Sequence, residues 1–152
     1  EGVPVYGFVY DFSINSLFEG GPSYGLLKDQ QKYASLSNDI EAQKIIGLQF
    51  PIEPGLFKKL IPIFSDFKIR ALGSSTLLGT LAAQAYLEGV LDVRAKVWDI
   101  AATYALAKAV GNEFHFFNES PFPLREFHPS LPTCPYFTGS KIFCEKIESL
   151  LA

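Results

Sequence analysis

The order of three short segments constrains this chain more than any other feature. Arg70-Ala71-Leu72-Gly73-Ser74-Ser75-Thr76 leads into a small-residue stretch, Gly89-Val90-Leu91-Asp92 follows, and Trp98-Asp99-Ile100-Ala101-Ala102 opens another such stretch. Phe67 to Arg70 reads as a short strand. Leu77, Leu78, Leu81, Ala85 and Tyr86 recur at helical spacing, with a Ser cap ahead of them and Gly89 closing the helix. Leu91-Asp92-Val93-Arg94 is a compact strand, and Asp99 starts a second small-residue helix, Ile100 to Val110, stopped by Gly111. Strands alternating with helices bury their apolar faces only as layers, so an α/β architecture is predicted.

The flanking segments extend the pattern. Val3 to Tyr10 is β-branched and aromatic, and Ser13-Ile14-Asn15 separates it from Ser16-Leu17-Phe18-Glu19, which predicts a hairpin ended by Gly20-Gly21-Pro22. Both faces of its first strand are apolar, which places it inside a sheet covered on both sides, with neighbours outside this chain. Residues 25–39 read as polar and turn-like, and Ile45 to Phe50 as a strand closed by Pro51 and Pro54. Leu56, Phe57, Leu60, Ile61 and Phe64 mark a helix that Pro62 kinks or shortens. Asn112 to Phe117 alternates as a strand. The five prolines between Glu119 and Pro135 indicate a loop laid over the surface, and Lys141 to Leu151 is the last helix.

A chain of 152 residues with 48% hydrophobic and 19% charged residues fits a single domain with a substantial core. The net charge of -3 and scattered Lys and Arg exclude a nucleic-acid surface. No apolar run approaches the roughly 20 residues of a membrane span, which leaves a soluble, cytoplasmic reading with no membrane partner. Cys134 and Cys144 form neither a CxxC pair nor a His-spaced set, so they are expected as free buried thiols rather than zinc ligands or a disulfide. His115 and His128 read as partly exposed structural residues, and Phe116, Phe117, Phe122 and Phe127 as core. The absence of any Met leads to the expectation of a chain that starts inside a longer polypeptide or after processing.

Taken in order and spacing, the Arg70 to Ala102 segment resembles the C-terminal signature of the inositol monophosphatase family: R-x-x-G-S/T-A-A, a small-residue helix, G-x-x-D, then W-D-x-A-A and a helix closed by E-A-G-G. Gly7-Phe8-Val9-Tyr10-Asp11 with Leu17-Phe18 is similar to that family's G-V-V-Y-D-P hairpin, and Phe137-Thr138-Gly139-Ser140 to its closing strand and turn. The resemblance implies a layered α/β/α/β/α sandwich with a mixed sheet, of which residues 1–152 form a single unit corresponding to the C-terminal portion. It implies Mg²⁺-dependent hydrolysis of a phosphate monoester of a small polyol, sugar or nucleotide, in which metal ions activate water and neutralise phosphoryl oxygens.

Residue by residue, the resemblance makes Asp99 a Mg²⁺ ligand and Gly73, Ser74 and Ser75 a substrate-contacting turn, whose amides at a helix N-terminus suit an anion. Arg94 and Lys96 are candidates for holding the phosphate near Asp99. Asp92 is expected to be a buried hydrogen-bonding residue. The family's Glu-Glu pair and D-P-x-D-G-T metal motifs have no counterpart, since the chain contains no Glu-Glu, Asp-Pro or Asp-Gly. Only Val93 to Val97 separates the G-x-x-D and W-D motifs, and the E-A-G-G closure is Ala109-Val110-Gly111-Asn112. One carboxylate cannot organise a metal pair, so the chain alone is expected to be inactive, as a homodimer or associated with the missing N-terminal portion. The alternative is a non-catalytic, truncated relative that binds a ligand or partner.

Overall fold

A computed structural model describes residues 1–34 and 44–152. The opening hairpin belongs to an antiparallel sheet of β1 (Gly7–Asp11), β2 (Ser16–Gly21), β3 (Gly25–Lys28) and β4 (Gln31–Lys32), in that order. The expectation of turns across residues 25–39 is corrected for residues 25–28 and 31–32, because Gly25 and Lys28 flank a Leu pair that completes the β2 ladder. Its remainder beyond residue 34 lies outside the described residues.

Strand alternation explains how β1 sits. Val9 opposes Phe18, and both are buried, while Phe8 and Tyr10 point outward at 62% and 43% exposure. Among the described residues β1 is an edge strand with one aromatic face in solvent, so the second cover expected for it is supplied by none of them. Its inner face is in tight contact with a helix, since a Cβ at Gly7 would lie 2.4 Å from the Ala102 carbonyl oxygen.

The second sheet is mixed. β5 (Ile45–Leu48), β6 (Lys68–Arg70), β7 (Gly89–Asp92), β8 (Glu113–Phe116) and β9 (Tyr136–Gly139) lie in the order β6-β5-β7-β9-β8. β5 runs parallel to β6 and β7, and β9 antiparallel to β7 and β8. Helices α2 (Ser75–Ala83) and α3 (Val97–Ala109) are packed between the two sheets, and α1 (Pro54–Leu60) and α4 (Lys141–Leu151) against the far face of the mixed sheet. The described residues thus form β/α/β/α layers, four of the five expected.

Three buried clusters correspond to these interfaces. Val9, Phe18 and Leu26 meet Ala83 and Leu106; Leu78, Val90, Ile100 and Tyr136 fill the space between α2, α3 and the mixed sheet; Ile46, Leu91, Phe137, Phe143 and Ile147 fill its other side. Pro62 acts as expected: α1 stops at Leu60, and residues Ile61–Ser65 tighten into a 3-10 turn. The α2 helix ends earlier than its pattern suggests. Ala85 takes a left-handed φ of 63° and Tyr86 N closes on Leu81 O at 3.0 Å, which frees Gly89 to enter β7. The proline-rich loop is tied down by Leu124 N to Gly2 O and Cys134 N to Ala95 O, each 2.7 Å. Both cysteines are free and buried, as expected.

Candidate functional site

The turn before α2 and the first turn of α3 come together at one end of the mixed sheet. Gly73 has a φ of +73°, a backbone conformation that side chains rarely adopt, and it turns the chain from β6 into α2. Ser74 then caps α2, its Oγ accepting from Leu77 N at 3.2 Å. Ser75 is buried and donates its hydroxyl to Asp92 Oδ2.

Asp92 is the buried anchor expected of it. At the end of β7 and 1% exposed, it also accepts from Arg94 N at 2.7 Å and Ala95 N at 3.1 Å through Oδ1. The carboxylate thereby shapes the link between β7 and α3 and holds Ser75 against it.

Asp99 occupies the third position of α3 rather than its start, because the helix begins at Val97. Its Oδ2 accepts from Lys96 N at 2.8 Å, which satisfies one of the unpaired donors at the helix mouth. The residue is partly exposed, and Oδ1 takes no hydrogen bond among the described residues. Thr76 Oγ1 donates to the Asp99 carbonyl at 2.8 Å and so ties α2 to α3 beside that carboxylate. The structure thus brings together the turn at Gly73 to Ser75, Asp92 and Asp99.

The two basic candidates are placed differently. Arg94 is exposed, and only its backbone amide joins the Asp92 network. Lys96 directs Nζ to the Leu131 carbonyl at 2.5 Å and lies 5.9 Å from the Trp98 ring centre, where it anchors the proline-rich loop. Trp98 is 46% exposed and meets Phe127 edge-on.

Sequence reasoning missed Gln49 and Tyr136. With its carboxamide turned so that the oxygen faces α2, Gln49 would accept from Ser74 N at 2.9 Å and Ser75 N at 3.2 Å, the amides expected to receive an anion. The Tyr136 hydroxyl, opposite Asp92 in the β7 and β9 ladder, is fully buried and has no hydrogen-bond partner among the described residues. Burial, then the charges of Asp92 and Asp99, push its ionisation well above the ordinary phenol range. Both residues act across sheet neighbours, which local pattern does not reveal. A shallow cavity of about 330 Å³ lined by Tyr24, Tyr33 and Val110 lies at the other end of α3, roughly 15 Å away along the helix axis.

This arrangement fits one position of a divalent-cation site. Asp99 offers a partly exposed carboxylate at a helix mouth, with one oxygen that takes no hydrogen bond among the described residues, suited to a hard cation that takes one or two carboxylates together with water and phosphate. It does not by itself form a cage.

The layered sheets and helices make a phosphatase-like α/β fold of the inositol monophosphatase kind, and the resemblance read from the sequence is borne out by solved structures. Inositol monophosphatase II from Staphylococcus aureus superposes with a TM-score of 0.72 at 25% identity, covering 96% of this chain and 55% of that one. The Thermotoga maritima inositol monophosphatase gives 0.76 at 15% identity, covering 98% and 56%. An inositol monophosphatase/NADP phosphatase complexed with NADP and Ca²⁺ gives 0.72 at 17%, covering 97% and 55%, and a dual-specific member bound to D-inositol-1-phosphate also matches. The chain spans about 55% of the length of these proteins. No family model and no curated protein matches the sequence.

Proposed function

We propose that this chain is the C-terminal portion of a Mg²⁺-dependent phosphatase that hydrolyses a phosphate monoester of a small polyol, sugar or nucleotide. The observation that carries the reading is the Thr76 Oγ1 to Asp99 O bond of 2.8 Å, which ties the helix that follows the turn of Gly73, Ser74 and Ser75 to the partly exposed Asp99 in the first turn of α3. Asp99 would hold one position of the metal site, and a divalent ion bound there supplies charge neutralisation and an activated water.

The chain's own residues have narrower tasks. Asp92 fixes the turn through Ser75 and the start of α3 through Ala95. Ser74 and Ser75 amides orient substrate oxygen once Gln49 moves aside, Arg94 supplies positive charge at the rim, and Lys96 does so only after leaving Leu131. The remaining carboxylates come from an N-terminal portion of the phosphatase, which also covers the outer face of β1; a homodimer is the other way to cover it. Among the described residues no helix is long and apolar enough to cross a membrane, and two free thiols suit a cytoplasmic setting.

The test is phosphate release from inositol monophosphate, fructose 1,6-bisphosphate and phosphoadenosine phosphate with Mg²⁺. The 152-residue chain alone is expected to release none, whereas a protein joining it to a segment with a Glu-Glu pair and D-P-x-D-G-T is expected to turn over and to lose activity on Asp99→Ala. Turnover by the chain alone that disappears in Asp99→Ala refutes the divided site. A second reading, a non-catalytic ligand- or partner-binding module, draws on the Gln49 carboxamide, whose oxygen can seat on the α2 amides; it predicts that no joined protein is active.

A further inference from the structure

Away from the Asp99 site, β8 and α4 bring four donor side chains together. Glu113 and His115 are two residues apart on β8 and share one face of the edge strand, the face that α4 covers. Cys144 and Glu148 are four residues apart on α4 and share one side of that helix. One ligand atom each from Glu113, His115 and Cys144 lies within 4.8 Å of the others. His115 Nε2 is 3.1 Å from Glu113 Oε2, and His115 Nδ1 is 3.2 Å from Glu148 Oε1.

That geometry poses a hydrogen-bonding problem with a chemical answer. A neutral imidazole has one N–H, yet both ring nitrogens face carboxylate oxygens, so a proton or a metal ion must sit between His115 and one of them. The ring is also held in plane: Phe137 stacks on it at 5.1 Å with a 4° tilt. Cys144 is fully buried, but Glu113 and His115 are each about one-third exposed, which leaves an approach from solvent.

We propose that Glu113, His115 and Cys144 form a binding site for a divalent transition-metal ion of the zinc type, independent of the phosphatase reading. His115 Nε2, a Glu113 oxygen and the Cys144 thiolate are the ligands, and a water completes the tetrahedron. Nδ1–H donates to Glu148, the carboxylate–histidine arrangement that fixes the tautomer of a metal-binding imidazole. Sulfur, nitrogen and oxygen donors in a set of three with an open position suit Zn²⁺ and not Mg²⁺. Ligand atoms about a tetrahedral Zn²⁺ are roughly 3.3–3.8 Å apart, so side-chain rotation of about 1 Å closes the observed cluster. On binding, the Cys144 thiol gives up its proton to solvent and its sulfur donates a lone pair to the ion; no redox partner is involved. The ion would clip α4 to the sheet edge.

The experiment is titration of the 152-residue chain with Co²⁺ as a spectroscopic probe and with Zn²⁺ by calorimetry, in excess Mg²⁺ so that oxygen-only sites are filled. The expected result is a sulfur-to-cobalt charge-transfer band that Zn²⁺ abolishes, retained in Cys134→Ser and Asp99→Asn and lost in Cys144→Ser. Zn²⁺ affinity should fall at least tenfold in His115→Gln and about tenfold in Glu148→Gln. These two variants alter partly exposed side chains and keep the test decisive if Cys144→Ser fails to fold. A folded wild-type chain with no such band overturns the proposal, as does Zn²⁺ binding that His115→Gln leaves unchanged.

Discussion

Removing the Asp92 carboxylate separates the roles of shape and charge at the heart of the candidate site. Asp92 is 1% exposed and receives three donors: the Ser75 hydroxyl, Arg94 N and Ala95 N. In Asp92→Ala, Ser75 and Ala95 lose their partner within the core, whereas Arg94, an exposed residue, can find water. Each orphaned buried donor costs about 1–3 kcal/mol, so the variant should lose about 3–4 kcal/mol. Asp92→Asn keeps the shape: its carbonyl can face both amides and its NH₂ can donate to a rotated Ser75 hydroxyl. Only charge assistance is lost, partly offset by burying a neutral group, for a net cost of about 1 kcal/mol. Urea unfolding followed by circular dichroism and by Trp98 fluorescence measures both. A loss below about 1 kcal/mol for Asp92→Ala, or equal losses for the two variants, would refute the claim that Asp92 shapes this corner by accepting hydrogen bonds.

Three further outcomes follow from packing and burial. Gly79→Ala raises helix propensity by about 1 kcal/mol, yet its Cβ would stand 2.9 Å from Thr103 Cβ; the net effect expected in urea unfolding is a loss of about 1–2 kcal/mol, and a gain contradicts the observed approach of α2 to α3. Phe8→Thr with Tyr10→Thr removes two outward-facing aromatics. It should reduce self-association in sedimentation velocity while shifting stability by less than about 1 kcal/mol; unchanged association means that β1's outer face is not what brings copies together. Burial, with help from Glu113 and Glu148, pushes the Cys144 thiol up to about 12, leaving about one part in ten thousand as thiolate at pH 8. In metal-free folded protein it should resist alkylation that proceeds freely in urea, which mass spectrometry of the Cys144 peptide reads directly.

Much of the fold is legible where local chemistry and burial agree. The last helix spans Lys141–Leu151 as the sequence pattern predicts, and Pro62 shortens α1 as its missing N–H requires. The signal fails where tertiary partners decide. Gly25-Leu26-Leu27-Lys28 has no alternation, but pairing with β2 makes it a strand. Ala85 adopts a left-handed turn that an alanine does not advertise. For β1, apolar residues on both faces imply a cover for each, and only one is found among the described residues.

The site divides in the same way. Asp92 and Asp99 were visible because each lies in a short motif that also builds a turn or helix mouth. Gln49, Tyr136 and the tie of Thr76 to Asp99 were not, since the partners are 23 or more residues away or lie across the sheet. The group of Glu113, His115, Cys144 and Glu148 escaped for a related reason. Its ligand spacing is split between a strand and a helix about 30 residues apart, so neither segment alone resembles a metal motif.

The Gln49 side chain gives the turn before α2 an unusual resting condition. Turned with its oxygen toward Ser74 N and Ser75 N, the side chain gives both donors at the mouth of α2 an acceptor and keeps them aligned. On the proposed reading of the turn, an anion would exchange one oxygen for another, with the advantage that charged acceptors bind about twice as strongly as neutral ones. On that reading Gln49 would act as a latch over the turn, and its release would set how readily the amides take up a charged guest.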